Sequence, residues 1–250
     1  VLTCGFTELV RRLVSSLEAH GVTFMYDTTV TDIQQRRITY KQGKGDSEKM
    51  AGIKIVCTIP YHGLRKLDLF RSEPWVTSIK PISLHRLYVK YDKPWFKDMK
   101  KITTDNYVRY IIPIREDECT MMYYTDSINA DLWNRWCHIS NDKAVDMIHQ
   151  ELQTILTPSY KKALSNAKVV NTKSCYWKGG VHVWRPGIHF KQVSEQVLQP
   201  VKGIYICGEG YSLYQDWIEG SLDTARRVCE KITGESIRKP KKMKRTIKKQ

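Results

Sequence analysis

The 250-residue chain has no C-x-x-C pair, no metal-ligand spacing, no Ser/His/Asp order and no Walker loop. Its seven cysteines (Cys4, Cys57, Cys119, Cys137, Cys175, Cys207 and Cys229) are odd in number and widely spaced. Such a set argues for reduced thiols in a reducing compartment and against a zinc site. No apolar run reaches 18 residues and no signal-peptide pattern is seen, so no membrane span is expected. Lone histidines such as His20, His62 and His149 read as structural or surface groups. Acidic residues are missing altogether from residues 238–250, which carry eight Lys or Arg. The formal charge of +15 therefore leaves +7 on residues 1–237, a mildly basic globule that demands no nucleic-acid partner. The tail has no periodic apolar face and reads as disordered. It is either a nuclear-targeting or polyanion-binding element or solvated charge without a dedicated partner. A cytoplasmic or nuclear location is the matching expectation.

What the chain does have is enough apolar content, 41%, to bury a sizeable core in one or two domains. Residues 7–19 carry Leu9, Val10, Leu13, Val14 and Leu17 on one face, with Thr7 as N-cap and Gly21 as stop. Residues 22–26 and 28–34 are β-rich, with Asp27 at the break. Residues 38–40 and 53–59 read as strands joined by a polar loop at 42–48, the second closed by Pro60. From about Tyr61 the character changes. Residues 84–91 alternate, with Arg86 and Tyr88 on one face and His85, Leu87, Val89 and Tyr91 on the other. Residues 107–114 and 119–125 read as two more strands. Residues 141–156 form a clear helix with Ala144, Val145, Ile148 and Leu152 aligned. Strands followed by a helix suggest an α+β module. After a strand at 168–176, an aromatic-rich segment with paired glycines and a Pro-Gly turn (176–187) reads as an irregular loop.

The chain is organised around residues 203–232. A short β-rich run, residues 203–207, has the character of a buried parallel strand. Gly208-Glu209-Gly210 breaks it. Ile218, Leu222, Ala225, Val228, Cys229 and Ile232 then recur at helical spacing. A strand ending in glycine and a carboxylate, followed by a helix facing the same crevice, is where open α/β sheets bind cofactors. Free N–H groups at a helix start suit an electron-rich ring edge or a phosphate.

Gly208-Glu209 followed by Gln215-Asp216-Trp217-Ile218-Glu219-Gly220-Ser221 resembles the C-terminal FAD segment of the flavin-containing amine oxidase family. The resemblance implies FAD as cofactor. It implies that Gly208 and Glu209 approach the pyrophosphate–ribityl part, and that Trp217, Ile218 and Glu219 meet the pyrimidine end of the flavin. It also implies that Val30 contacts the adenine end through its backbone. His182 falls where relatives carry a cage tyrosine; a hydrogen-bonded loop histidine is the other reading. Val181 falls where some relatives attach FAD through cysteine, so that thioether is ruled out. Trp177 and Trp184 are more often packing residues. Arg86 falls at the family's lysine near flavin N5, where it would hold a water or anion; pairing with a surface carboxylate is the alternative. Arg86, Trp217 and His182 are thus the catalytic candidates, with no metal ligand among the candidates.

The implied architecture is mixed α/β: Rossmann-like FAD/NAD(P)-binding segments with an inserted α+β substrate domain. Residues 1–60 form an FAD-binding segment, 61–175 the substrate domain, 176–237 the C-terminal FAD-binding segment and 238–250 the tail. The family's G-x-G-x-x-G unit is absent, and Gly43-Lys44-Gly45 is not that motif. The chain is therefore expected to be the C-terminal part of a longer flavoprotein. The implied activity is oxidation of a substrate C–H, an amine C–N in the first instance, by hydride transfer to flavin N5 with reoxidation by oxygen. A small-molecule amine is the expected partner. The alternative is a non-catalytic interaction domain that reuses the scaffold, with the basic tail binding a polyanion.

Overall fold

A computed structural model describes residues 5–115 and 119–237. The tail, residues 116–118 and Cys4 lie outside the described residues. In chain order the helices are α1 (Gly5–Ala19), α2 (Tyr61–Leu64), α3 (Asp68–Arg71), α4 (Ser127–Ile139), α5 (Asn141–Ile155), α6 (Pro158–Ser165), α7 (Phe190–Val197) and α8 (Ile218–Thr233). The strands are β1 (Thr28–Gln34), β2 (Arg37–Gln42), β3 (Ser47–Ala51), β4 (Ile55–Cys57), β5 (Ile79–Tyr91), β6 (Ile102–Thr103), β7 (Tyr110–Arg115), β8 (Thr120–Asp126), β9 (Val169–Trp184) and β10 (Ile204–Ile206).

They form three sheets among the described residues: an antiparallel meander β1-β2-β3, a parallel pair β10-β4, and an antiparallel sheet ordered β6-β7-β8-β5-β9. The mixed α/β class read from the sequence is the class observed. The run at 203–207 is a buried strand, β10, parallel to β4 in register Ile204↔Ile55 to Ile206↔Cys57. Strands this far apart in sequence can pair in parallel because the whole middle of the chain serves as their crossover.

The large sheet has one apolar face. Met121, Tyr123 and Thr125 alternate inward along β8, opposite Leu87, Val89 and His85 of β5. Against that face lie Trp133 of α4 and Ala144, Val145, Ile148 and Leu152 of α5. Ser140 caps α5 by accepting from the Lys143 N–H at 3.3 Å. A second core surrounds the parallel pair, with Ile33, Tyr61, Leu64, Phe70, Trp75, Ile79 and Tyr211.

Several local expectations are corrected. Residues 22–26 form no strand, and Thr7 lies inside α1, which starts at Gly5. The polar loop at 42–48 gives way to β3, whose five residues are all exposed and offer no alternation to read. The glycine-rich segment after Tyr176 is not a loop: β9 continues through it to Trp184, paired with β5 down to Trp184↔Ile79. Its paired glycines serve close packing. A Cβ at Gly180 would lie 2.7 Å from the Leu84 side chain, and one at Gly179 would lie 3.1 Å from His62 and Pro81. The register shift between Ile82 and Leu84 falls at the same place. Only the Pro186-Gly187 end turns, with Gly187 at φ +78°.

Helix α1 buries none of its residues, and Phe6, Leu9, Val10, Leu13 and Leu17 are all exposed. Its apolar stripe therefore adds little to stability. Leu152→Ala is expected to cost about 2–5 kcal/mol, and Leu13→Ala to stay within about 0.5 kcal/mol of the parent; urea unfolding distinguishes them, and a large loss for Leu13→Ala would show that α1 is docked.

Buried His85 shares a 2.9 Å hydrogen bond with the Ser174 hydroxyl, and burial pushes its pKa down to about 4. The folded state thus holds a neutral imidazole that the unfolded chain protonates at about 6.5. This stabilisation is complete above pH 6.5 and is lost as pH falls toward 4, by on the order of 3 kcal/mol. His85→Gln should flatten the stability curve between those values; an unchanged slope would count against it.

Candidate functional site

The parallel pair ends in a cleft. Beyond Ile206, the Cys207 N–H donates to the Cys57 carbonyl at 3.1 Å, and Gly208 follows at φ +148°, a conformation that favours glycine. A short 3-10 turn, Glu209–Tyr211, carries the chain across the mouth. The cleft holds about 160 Å3 between Pro60 and Tyr61 on one side and Gly208, Glu209, His182 and Ser221 on the other.

Helix α8 fixes the far wall. The Thr224 hydroxyl accepts from the Gly208 N–H at 2.9 Å and lies 3.1 Å from the Gly208 carbonyl. That contact requires the first turn of the helix to press on the preceding loop. A Cβ at Gly220 would fall well inside contact distance of the Tyr214 carbonyl oxygen and the Ser212 hydroxyl. The buried stripe of α8 is therefore Gly220, Thr224 and Val228. The six-residue apolar stripe read from the sequence is corrected: Ile218 and Leu222 are exposed, as is Cys229.

Glu209 is held on both oxygens. Oε1 pairs with Nδ1 of His182, and Oε2 accepts from the Asp216 N–H at 3.1 Å. An ionised Glu209 sets Nδ1–H as the donor. This leaves Nε2 of His182 buried without a hydrogen-bond partner among the described residues. Asp216, at φ +71°, has its carboxyl pKa raised by burial first and by the neighbouring Glu209 charge second. Gln215 ties the turn to β9: its amide oxygen accepts from the Trp184 N–H at 2.9 Å while its Nε2 donates to the Gly210 carbonyl at 2.6 Å. Burial raises the Cys57 thiol to about 11 and pushes Cys207 upward as well, so both act as small apolar groups at neutral pH.

Gly208, Glu209 and His182 thus meet in one cleft. Trp217 is the N-cap residue of α8 and is 69% exposed, with Ile218 and Glu219 beside it on the open surface. Val30 lies on β1 opposite Tyr40, just before a bulge, and is exposed. Arg86 lies on the outer face of the large sheet. Its guanidinium sits 5.3 Å from the Tyr124 ring centre and 5.6 Å from that of Trp177, and its Nε is buried without a hydrogen-bond partner among the described residues. Tyr110 stacks on Tyr124 at 5.4 Å, and Arg109 pairs with Asp126. Thr224 was not singled out from the sequence, and Gln215 was quoted there only as part of the family-like segment, with no role of its own. The cue for Thr224 was a glycine in a helix four residues before it, since a glycine there is otherwise destabilising.

A sequence model of the flavin-containing amine oxidoreductases matches residues 1–233. Among solved structures, cyclohexylamine oxidase from Brevibacterium oxydans IH-35A shares the fold with a TM-score of 0.62 at 11% identity, over 90% of this chain and 52% of that one. The chain spans about half the length of that structure.

Gly220→Ala is expected to destabilise the fold by more than about 2 kcal/mol, through overpacking against backbone that has nowhere to move. Ser221→Ala, one residue on, should cost less than about 1 kcal/mol. Equal denaturation midpoints for the two variants would show that the close approach at 220 is not a constraint.

Proposed function

Since the chain belongs to the flavin-containing amine oxidoreductase family, we propose that it contributes the C-terminal cofactor cleft and the substrate-side sheet of an FAD-dependent amine oxidase. The observation that carries this reading is the cleft at the end of β4 and β10. There Gly208 leaves its side-chain position open and the buried His182 Nε2 has a free hydrogen-bonding site. The residues fit an edge of such a cofactor. About 160 Å3 is below the roughly 300–1,000 Å3 of a complete small-molecule pocket, so the cleft takes a part of the dinucleotide. Gly208, Glu209 and His182 would hold it here, with Trp217, Ile218, Glu219 and Val30 as the further contacts in the proposal.

A bound flavin supplies acceptance of two electrons from a substrate C–H bond. The chain's own residues bind, orient and exclude water. Arg86 contributes a fixed positive charge that cannot relay a proton, because guanidinium stays protonated throughout the working range. Its guanidinium lies over the Tyr124 and Trp177 rings, and this cation–π arrangement holds the charge in place. That fixed charge repels an ammonium group, so a substrate beside it is favoured as the neutral amine.

Fluorescence titration of FAD into the full chain tests the cleft. Saturable but weak binding is expected, because no Gly-rich phosphate loop occurs in these residues. Glu209→Ala removes the partner that orients His182, at a cost of roughly 1–3 kcal/mol, or about 5- to 150-fold in affinity. Absence of saturable binding, or an affinity indifferent to Glu209→Ala, would overturn the cleft's role.

A further inference from the structure

The cleft occupies one end of the parallel pair. At the other end, the segments leading into β4 and β10 meet the β1–β2 turn around a second cavity of about 500 Å3. Three cations line it, each from a different segment: Arg36 from the turn, Lys54 from the approach to β4, and Lys202 from the approach to β10. The Gln35 and Gln199 side chains and Tyr205 complete a rim rich in hydrogen-bond donors, and no Asp or Glu is among the described lining residues.

The backbone makes this convergence obligatory. Arg36 sits in the left-handed region at φ +63° at the tip of the turn, with its carbonyl accepting from the Gly52 N–H at 2.9 Å. Gly203, at φ +80°, accepts from the Ile55 N–H at 2.9 Å and so sets Lys202 beside Lys54. Lys54 donates to the Ile232 carbonyl at 2.9 Å, near the C-terminal end of α8. That bond uses one of its three N–H groups and anchors the ammonium at the cavity.

Three like charges around one cavity repel one another, and an anion among them reverses the sign of that interaction. A single carboxylate offers two oxygens. A phosphate offers more oxygens and a second charge, which matches a guanidinium fork flanked by two ammonium groups. The cavity exceeds one phosphate, so the remainder of a phosphorylated molecule has room beside Tyr205. We propose that this cavity binds a phosphate-bearing small molecule, at a site separate from the cofactor cleft and independent of the amine oxidase reading.

Isothermal titration of the full chain with inorganic pyrophosphate at low salt tests this. One saturable site is expected, and Arg36→Gln and Lys202→Gln should each weaken it roughly tenfold or more. Lys173→Gln removes an exposed charge on β9, distant from the cavity, and should leave affinity within about twofold. Unsaturable binding, or losses as large for Lys173→Gln as for Lys202→Gln, would show diffuse attraction to a basic surface and overturn the site. If Arg36→Gln fails to fold, Lys202→Gln, in an exposed loop, decides alone.

Discussion

Helix α8 can lie against the end of β10 only because position 220 carries no side chain. Every feature of the cleft follows from that closeness. It brings the Thr224 hydroxyl to the Gly208 amide, which fixes the glycine where the strand ends. It tightens the turn at 212–217, so that the Asp216 N–H reaches Glu209 and the Gln215 side chain reaches both Gly210 and Trp184. Glu209, held in that way, orients His182 from the large sheet. A helix one side chain farther out would leave the same residues as unconnected parts.

Much of this architecture was legible in the sequence where one face of an element is buried and the other is wet. Strand β8 alternates throughout and β5 does so from His85 to Tyr91, because one face packs on α4 and α5 and the other is more open. Helix α5 was readable for the same reason. Helix α4 was not: Ala130 and Trp133 are its buried residues, and two inward positions make too sparse a pattern to read. Strand β3 buries nothing and exists by pairing with β2.

The misreadings share a cause. Gly179 and Gly180 look like a turn signal when only the local chain is considered, yet the strand runs through them because β5 and His62 crowd that place. Likewise the apolar residues at the start of α8 suggested a core-facing stripe, whereas Gly220 and Thr224 make the close contact there. In both cases small residues are placed by tertiary neighbours, which periodicity does not register. The site was legible to a different degree: Gly208, Glu209 and His182 meet as a group, while the contacts by which the Thr224 hydroxyl and the Gln215 amide hold them depend on the fold.

The pairing of β4 with β10 joins segments about 150 residues apart. Closing so long a loop in an open chain is entropically costly, and folding slows when such contacts must form early. In the fold, the large antiparallel sheet lies between the two segments and joins Ile79 to Trp184, far nearer to β4 and β10 in the chain. The cleft is assembled from both segments. On a ribosome, it has no far wall until nearly the whole described chain has emerged, and until then β4 waits without its partner.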